Sequence, residues 1–123
     1  MPQLILPYPI STNRYWRSFR GMTVKSTEAR EYKAAVHVIA ANEGVCDPLK
    51  GWVKLDMSYH PKRPQKYQPG QAVRSMDLDN VMKVAIDCLN GIAYADDKQI
   101  THLSIRKGEP IPDGGLVIAW EAA

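Results

Sequence analysis

Residues 76–100, MDLDNVMKVAIDCLNGIAYADDKQI, constrain the fold of this chain more than any other stretch. Val81, Ala85 and Cys88, with Met82, Ile86 and Leu89, recur at helical spacing and predict a short amphipathic helix. Asn80, Lys83 and Asp87 fall on its polar face, and Asp87 is expected to stand apart from any site built at the helix start. Asp77 and Asp79 lie at or just before that start, where carboxylates suit the positive end of the helix dipole and can cap free N–H groups. A cap accounts for one of them. Asp96 and Asp97 follow in a turn that opens a strand-like run, and a helix–turn–strand hairpin is expected to return this second acidic pair to the first. Converging carboxylates without His or Cys form the ligand set that Mg²⁺ or Mn²⁺ prefers.

A chain of 123 residues, 45% of them apolar, is long enough for one packed core and too short for two ordinary domains, so residues 1–123 are read as a single domain. The formal charge of +3 and pI near 8.9 permit a nucleic-acid partner without requiring one. Neither Cys46 nor Cys88 has a Cys or His at ligand spacing, which argues against zinc and against a disulfide framework; Cys88 falls on the apolar helix face as a buried thiol. The opening MPQLILPYPI has no basic start, and Pro7 and Pro9 cut its apolar run, so it does not read as a signal peptide. No apolar stretch approaches spanning length, and a cytoplasmic setting without membrane partners is the expectation.

Along the chain, Gln3 to Leu6 reads as a strand. Arg14, Arg17 and Arg20 then interleave with Tyr15, Trp16 and Phe19, and Gly21 allows a tight reversal into Met22–Lys25. Such a hairpin can grip phosphates and stack on bases, or simply turn its aromatics into the core. Ser26 or Thr27 caps a helix running to about Glu43. Val53, Leu55, Met57 and Tyr59 alternate with polar residues from Trp52 to His60, as in a half-buried strand. The loop PKRPQKYQPGQAVRS follows, carrying Lys62, Arg63, Lys66 and Arg74. A basic loop placed directly before an acidic D-x-D is the arrangement a polyanion needs, because carboxylates repel phosphates unless cations offset them. Strands from Gln99 to Lys107 and from Leu116 to Glu121 complete an α/β (α+β) arrangement, a mixed sheet with two main helices.

Several chemistries are excluded. His37, His60 and His102 are scattered and no nucleophile elbow is present, so a triad has no support. Without a phosphate-binding glycine loop, no nucleotide cofactor is expected. Metal-assisted phosphodiester cleavage remains: an ion on Asp77, Asp79 and Asp97 would polarise the scissile phosphate and activate a water, and Lys83, one turn beyond Asp79, would offset growing charge.

The chain resembles the RusA family of Holliday-junction resolvases. LPYPISTNRYWR is similar to that family's opening, DLDNVMK (Asp77 to Lys83) to its most characteristic motif, and ADDKQI (Ala95 to Ile100) to its second acidic element. The resemblance implies a RusA-like fold, Mg²⁺ (with Mn²⁺ as a substitute) on Asp77, Asp79 and Asp97, and Lys83 assisting the chemistry. It further implies a homodimer making paired nicks in four-way junction DNA, in a bacterial or phage-infected cell. Arg14, Arg17, Lys62, Arg63, Lys66 and Arg74 are the expected DNA contacts. Two departures stand out: Ile10 replaces a proline of the opening turn, and Arg74, Ser75 and Met76 replace a run of adjacent basic residues. The alternative from another class is a branched-DNA-binding protein of the same fold that does not cleave.

Overall fold

The computed structural model describes residues 2–45 and 47–123, with Cys46 outside the described residues. Alternating apolar residues make β4 (Val53–His60) the middle of the molecule: Val53, Leu55, Met57 and Tyr59 are all essentially inaccessible, and the strand lies between two partners. On one side β6 (Gly115–Ala122) runs antiparallel, pairing Tyr59 with Leu116, Met57 with Ile118 and Leu55 with Trp120, so one face of the pair is continuously apolar. On the other side β5 (Ile100–Lys107) runs parallel, and β1 (Gln3–Leu6) pairs antiparallel with the far edge of β6. The sheet order is β1-β6-β4-β5.

Parallel neighbours cannot be joined by a tight turn and need a crossover. The basic loop and α3 (Leu78–Cys88) supply it between β4 and β5. Val81, Val84, Ala85, Cys88 and Leu89 of that segment are buried, and Met82 and Ile86 flank them half-buried, as the helical spacing predicts. α2 (Thr27–Asn42) covers the rest of the same core with Ala29, Tyr32, Val36 and Ala40. Ser26 is its cap, its hydroxyl accepting from the Ala29 N–H at 3.0 Å. Truncating a side chain such as Leu55 or Met57 to Ala would leave a cavity costing about 2–5 kcal/mol.

The arginine-rich segment is a hairpin, but it forms a separate two-stranded sheet of β2 (Trp16–Phe19) and β3 (Met22–Lys25), preceded by a single turn, α1 (Thr12–Tyr15), absent from the sequence expectation. Arg20 and Gly21 both have positive φ, 51° and 76°, which is the two-residue turn whose twist matches paired strands. Tyr15 goes fully into the core and Trp16 partly, in edge-to-face contact with centroids 4.5 Å apart. No helix among the described residues is long and apolar enough to cross a membrane.

Candidate active site

Asp77 occupies the N-cap position of α3 with extended backbone, φ −68° and ψ 141°, yet its side chain makes no capping hydrogen bond. The capping account therefore fails for Asp77, and Asp79, exposed in the first turn, also makes no ion pair among the described residues. Two exposed carboxylates stand free on one turn. The turn itself is held from outside. Thr12 on α1 donates to Asn80 Oδ1 at 2.9 Å, and the Tyr59 hydroxyl accepts from the Met76 N–H at 3.1 Å. Lys107 Nζ donates to Ser75 Oγ at 2.7 Å, so the last two loop residues are fastened to the ends of β4 and β5.

The second acidic pair lies elsewhere. Asp96 caps a short 3₁₀ turn, Asp97–Gln99, in a reciprocal capping box, which accounts for it structurally. Asp97 Oδ2 accepts from Asn90 Nδ2 at 3.2 Å, and Asn90 sits two residues beyond the end of α3. An eleven-residue helix is about 16 Å long. The two pairs thus flank opposite ends of α3, and among the described residues no three His, Cys, Asp or Glu side chains are grouped to hold one ion. The expected return of Asp96 and Asp97 to Asp77 and Asp79 does not occur within the single chain. The physical reason is topological: a crossover helix runs against both of its parallel strands, so the start of β5 meets the end of α3, not its beginning.

Asp97 instead shares a cleft of about 520 Å³ with Lys83, Trp16, Asp87, Ile86 and Leu103. Asp87 lines the same cleft from the last turn of α3, away from Asp77 and Asp79. The fully buried Tyr15 hydroxyl donates to Asp87 Oδ2, and Lys25 pairs with the same oxygen at 3.1 Å. Burial, then the bond to Asp87, pushes the Tyr15 hydroxyl well above its usual range. Burial lowers Lys25, but the Asp87 carboxylate outweighs it and the net shift is upward. Asp87 therefore fastens the β2–β3 hairpin to α3 beside Lys83. Nothing in the sequence distinguished it from a solvated helix residue. Asn90 was likewise unmarked, and its Oδ1 is buried without a hydrogen-bond partner among the described residues.

Four of the six cations expected to meet DNA come together. Arg14, Lys62, Arg63 and Arg74 line one groove of about 690 Å³ with Tyr8, Ser75 and Met76, so the groove ends at the residue before Asp77. Arg14 pairs with Glu28, whereas no carboxylate pairs with Lys62, Arg63 or Arg74 among the described residues. Arg63 is anchored by its backbone N–H on Ile111 O at 2.8 Å. Arg17 lies next door, lining a hollow with Arg14, Ser26 and Thr27 at the start of α2. Lys66 is exposed in the loop and does not line the groove. Tyr8, which sequence reasoning passed over as part of a proline turn, lies under Lys62, whose Nζ is 4.7 Å from the ring centroid.

An ion held here must be a hard cation, because the free ligands at the groove's end are two carboxylates. Mg²⁺ commonly keeps several waters and is bound by one or two carboxylates plus substrate phosphates, so Asp77 and Asp79 fit it without a third protein ligand.

Comparison with known proteins agrees in kind. The family described as Endodeoxyribonuclease RusA matches residues 7–118. The chain is 34% identical over 114 residues to the crossover junction endodeoxyribonuclease RusA of Escherichia coli K12, covering 91% of this chain and 86% of that protein. It is 30% identical over 118 residues to the protein of the same name from Enterobacteria phage HK97, covering 94% and 90%. With matches spanning nearly its whole length, and with the D-x-D turn of α3 lying at the mouth of a basic groove, this chain belongs to the RusA endodeoxyribonuclease family.

Proposed function

We propose that this protein is a Mg²⁺-dependent endodeoxyribonuclease that resolves four-way DNA junctions by paired nicks, with Mn²⁺ able to substitute. The observation that carries the reading is the groove: Arg14, Lys62, Arg63 and Arg74 converge on Met76, and the free carboxylates Asp77 and Asp79 follow immediately. A binder alone has no use for carboxylates at the end of a phosphate-gripping surface, where each opposes the polyanion. The names of the relatives support the same substrate class.

The cations grip the backbone and draw one phosphate to the start of α3, with Arg17 and Lys66 extending the contact. Asp77 and Asp79 would hold the ion there, which when bound would supply polarisation of the phosphate and acidification of a water. Lys83, one turn further along α3, offsets charge growing on the phosphate or leaving oxygen. Asp97 lines the cleft with Lys83 toward the other end of α3, and its part in the reaction is assigned there, apart from the ion on Asp77 and Asp79. Each chain carries one such site, and a junction offers two equivalent strands, so a two-fold homodimer is the matching assembly. The setting is the cytoplasm of a bacterial or phage-infected cell.

The test is to incubate the protein with a labelled four-way junction or a linear duplex of the same arm sequence, in Mg²⁺ or EDTA. Paired nicks in the junction alone, and only with the ion, are expected. Binding to the junction with no cleavage under any divalent ion establishes the non-catalytic alternative, and equal cutting of linear duplex removes the junction from the assignment.

A further inference from the structure

The contacts behind the D-x-D turn belong to neither metal nor DNA, yet they join the two. Tyr59 is fully buried near the end of β4, and its hydroxyl accepts the Met76 N–H at 3.1 Å, fixing the peptide immediately before Asp77. The same hydroxyl lies 2.8 Å from the Tyr8 hydroxyl, with the two rings 5.9 Å apart and tilted at 44°. Tyr8 in turn carries Lys62 over its ring, and both line the basic groove. A continuous path of contacts therefore runs from a groove cation, through two phenols, to the backbone that aims Asp77. A tyrosine hydroxyl is needed for this. Phenylalanine at either position would pack equally well but could not accept from Met76 or bridge the pair.

We infer that Tyr59, completed by Tyr8, is the positioning residue of the site: its hydroxyl fixes the Met76 peptide, and with it the point from which the free Asp77 carboxylate reaches a divalent ion. The inference rests on the proposed metal-dependent reading, with Asp77 and Asp79 as ligands. Neither tyrosine touches the reacting atoms. Without the Tyr59 hydroxyl, the Met76 peptide is released and the Asp77 carboxylate is no longer held at one place at the start of α3.

The experiment compares the wild-type chain with Tyr59→Phe, Tyr8→Phe and Asp77→Asn by three measurements: Mn²⁺ binding without DNA, followed by the electron paramagnetic resonance of free Mn²⁺; junction affinity in EDTA; and the Mg²⁺ concentration giving half-maximal cleavage. Tyr59→Phe is expected to weaken Mn²⁺ binding about fivefold, the equivalent of one neutral hydrogen bond. The Mg²⁺ midpoint should rise by a similar factor, while the cleavage rate at saturating Mg²⁺ and the junction affinity in EDTA change less than about twofold. Tyr8→Phe should shift the same two quantities in the same direction but less, because the Tyr59–Met76 bond survives; it also serves should Tyr59→Phe fail to fold. Unchanged Mn²⁺ binding and Mg²⁺ midpoint in these variants, with Asp77→Asn defective, overturn the positioning role and leave the metal reading intact. Loss of Mn²⁺ binding, DNA binding and thermal stability together overturns it also, as a merely structural effect. Wild-type protein that binds no Mn²⁺ and cuts nothing overturns the metal reading itself.

Discussion

Replacing Arg63 and Arg74 together by alanine tests whether the groove, and not the basic loop at large, is where DNA lies. Both side chains line the groove and neither pairs with a carboxylate among the described residues, so both are available to phosphates. Neither change should disturb the fold. Arg74 is exposed, and Arg63 keeps its backbone bond to Ile111 while losing only a long side-chain contact of 3.4 Å to Pro110 O. Each phosphate contact on duplex arms contributes about 0.9 to the slope of log affinity against log salt. Losing two flattens the slope by about 1.8, so the wild-type advantage over the double variant should shrink about twelvefold between 50 and 200 mM salt. Arg14→Ala should flatten the slope by less than about 0.9, because Arg14 is already partly neutralised by Glu28. Lys66→Ala, outside the groove, should change it least. Fluorescence anisotropy of a labelled four-way junction, titrated in EDTA at several salt concentrations, measures these slopes directly. An unchanged slope in the double variant, or an equal effect from Lys66→Ala, would refute the argument and move the DNA surface away from the groove.

Asp79→Asn removes a proposed metal ligand but preserves the size of the side chain in the first turn of α3, so cleavage should fall at least about a hundredfold, with junction affinity in EDTA equal or higher; quenched-flow cleavage and anisotropy on one preparation check both halves. Asp87→Asn leaves Tyr15 and Lys25 without their carboxylate and should destabilise the fold by about 1–3 kcal/mol in urea denaturation, with cleavage per folded molecule reduced because the hairpin loosens beside Lys83. Burial holds the Cys88 thiol at about 11, against an ordinary 9.0. A folded-state value raised above the unfolded one means stability is fully present below pH 9 and lost as pH rises through 11, by about 2–3 kcal/mol in total. Denaturant midpoints measured at pH 8 and pH 11 should fall more steeply for wild type than for Cys88→Ala.

Local pattern carried much of this architecture. Alternation from Val53 to Tyr59 and helical spacing from Val81 to Leu89 are properties of adjacent residues facing one apolar core, and the elements they predict form within a residue or two of the expected ends. The D-x-D motif, the basic loop before it and the family were legible for the same reason: the residues are contiguous and their chemistry is unusual. What contiguity cannot express is where distant segments meet. The direction of β5 relative to β4 was invisible until the sheet formed, and it alone sent Asp97 to the end of α3 and not to its start. Capping, too, was decided in three dimensions: Asp96, a candidate ligand by sequence, is consumed by its own turn, whereas Asp77, a candidate cap, makes no capping bond at the end of a loop that Tyr59 and Lys107 fasten to the sheet. Tyr8, Tyr59 and Asp87 read as packing or surface residues because each acts through a partner 17 to 72 positions away, as in Met76–Tyr59, Tyr8–Tyr59 and Tyr15–Asp87. Hydrogen bonds over such separations depend on the relative placement of whole elements. The chemistry of this protein was written in its residue types, and the tertiary structure decided which of them are free to perform it.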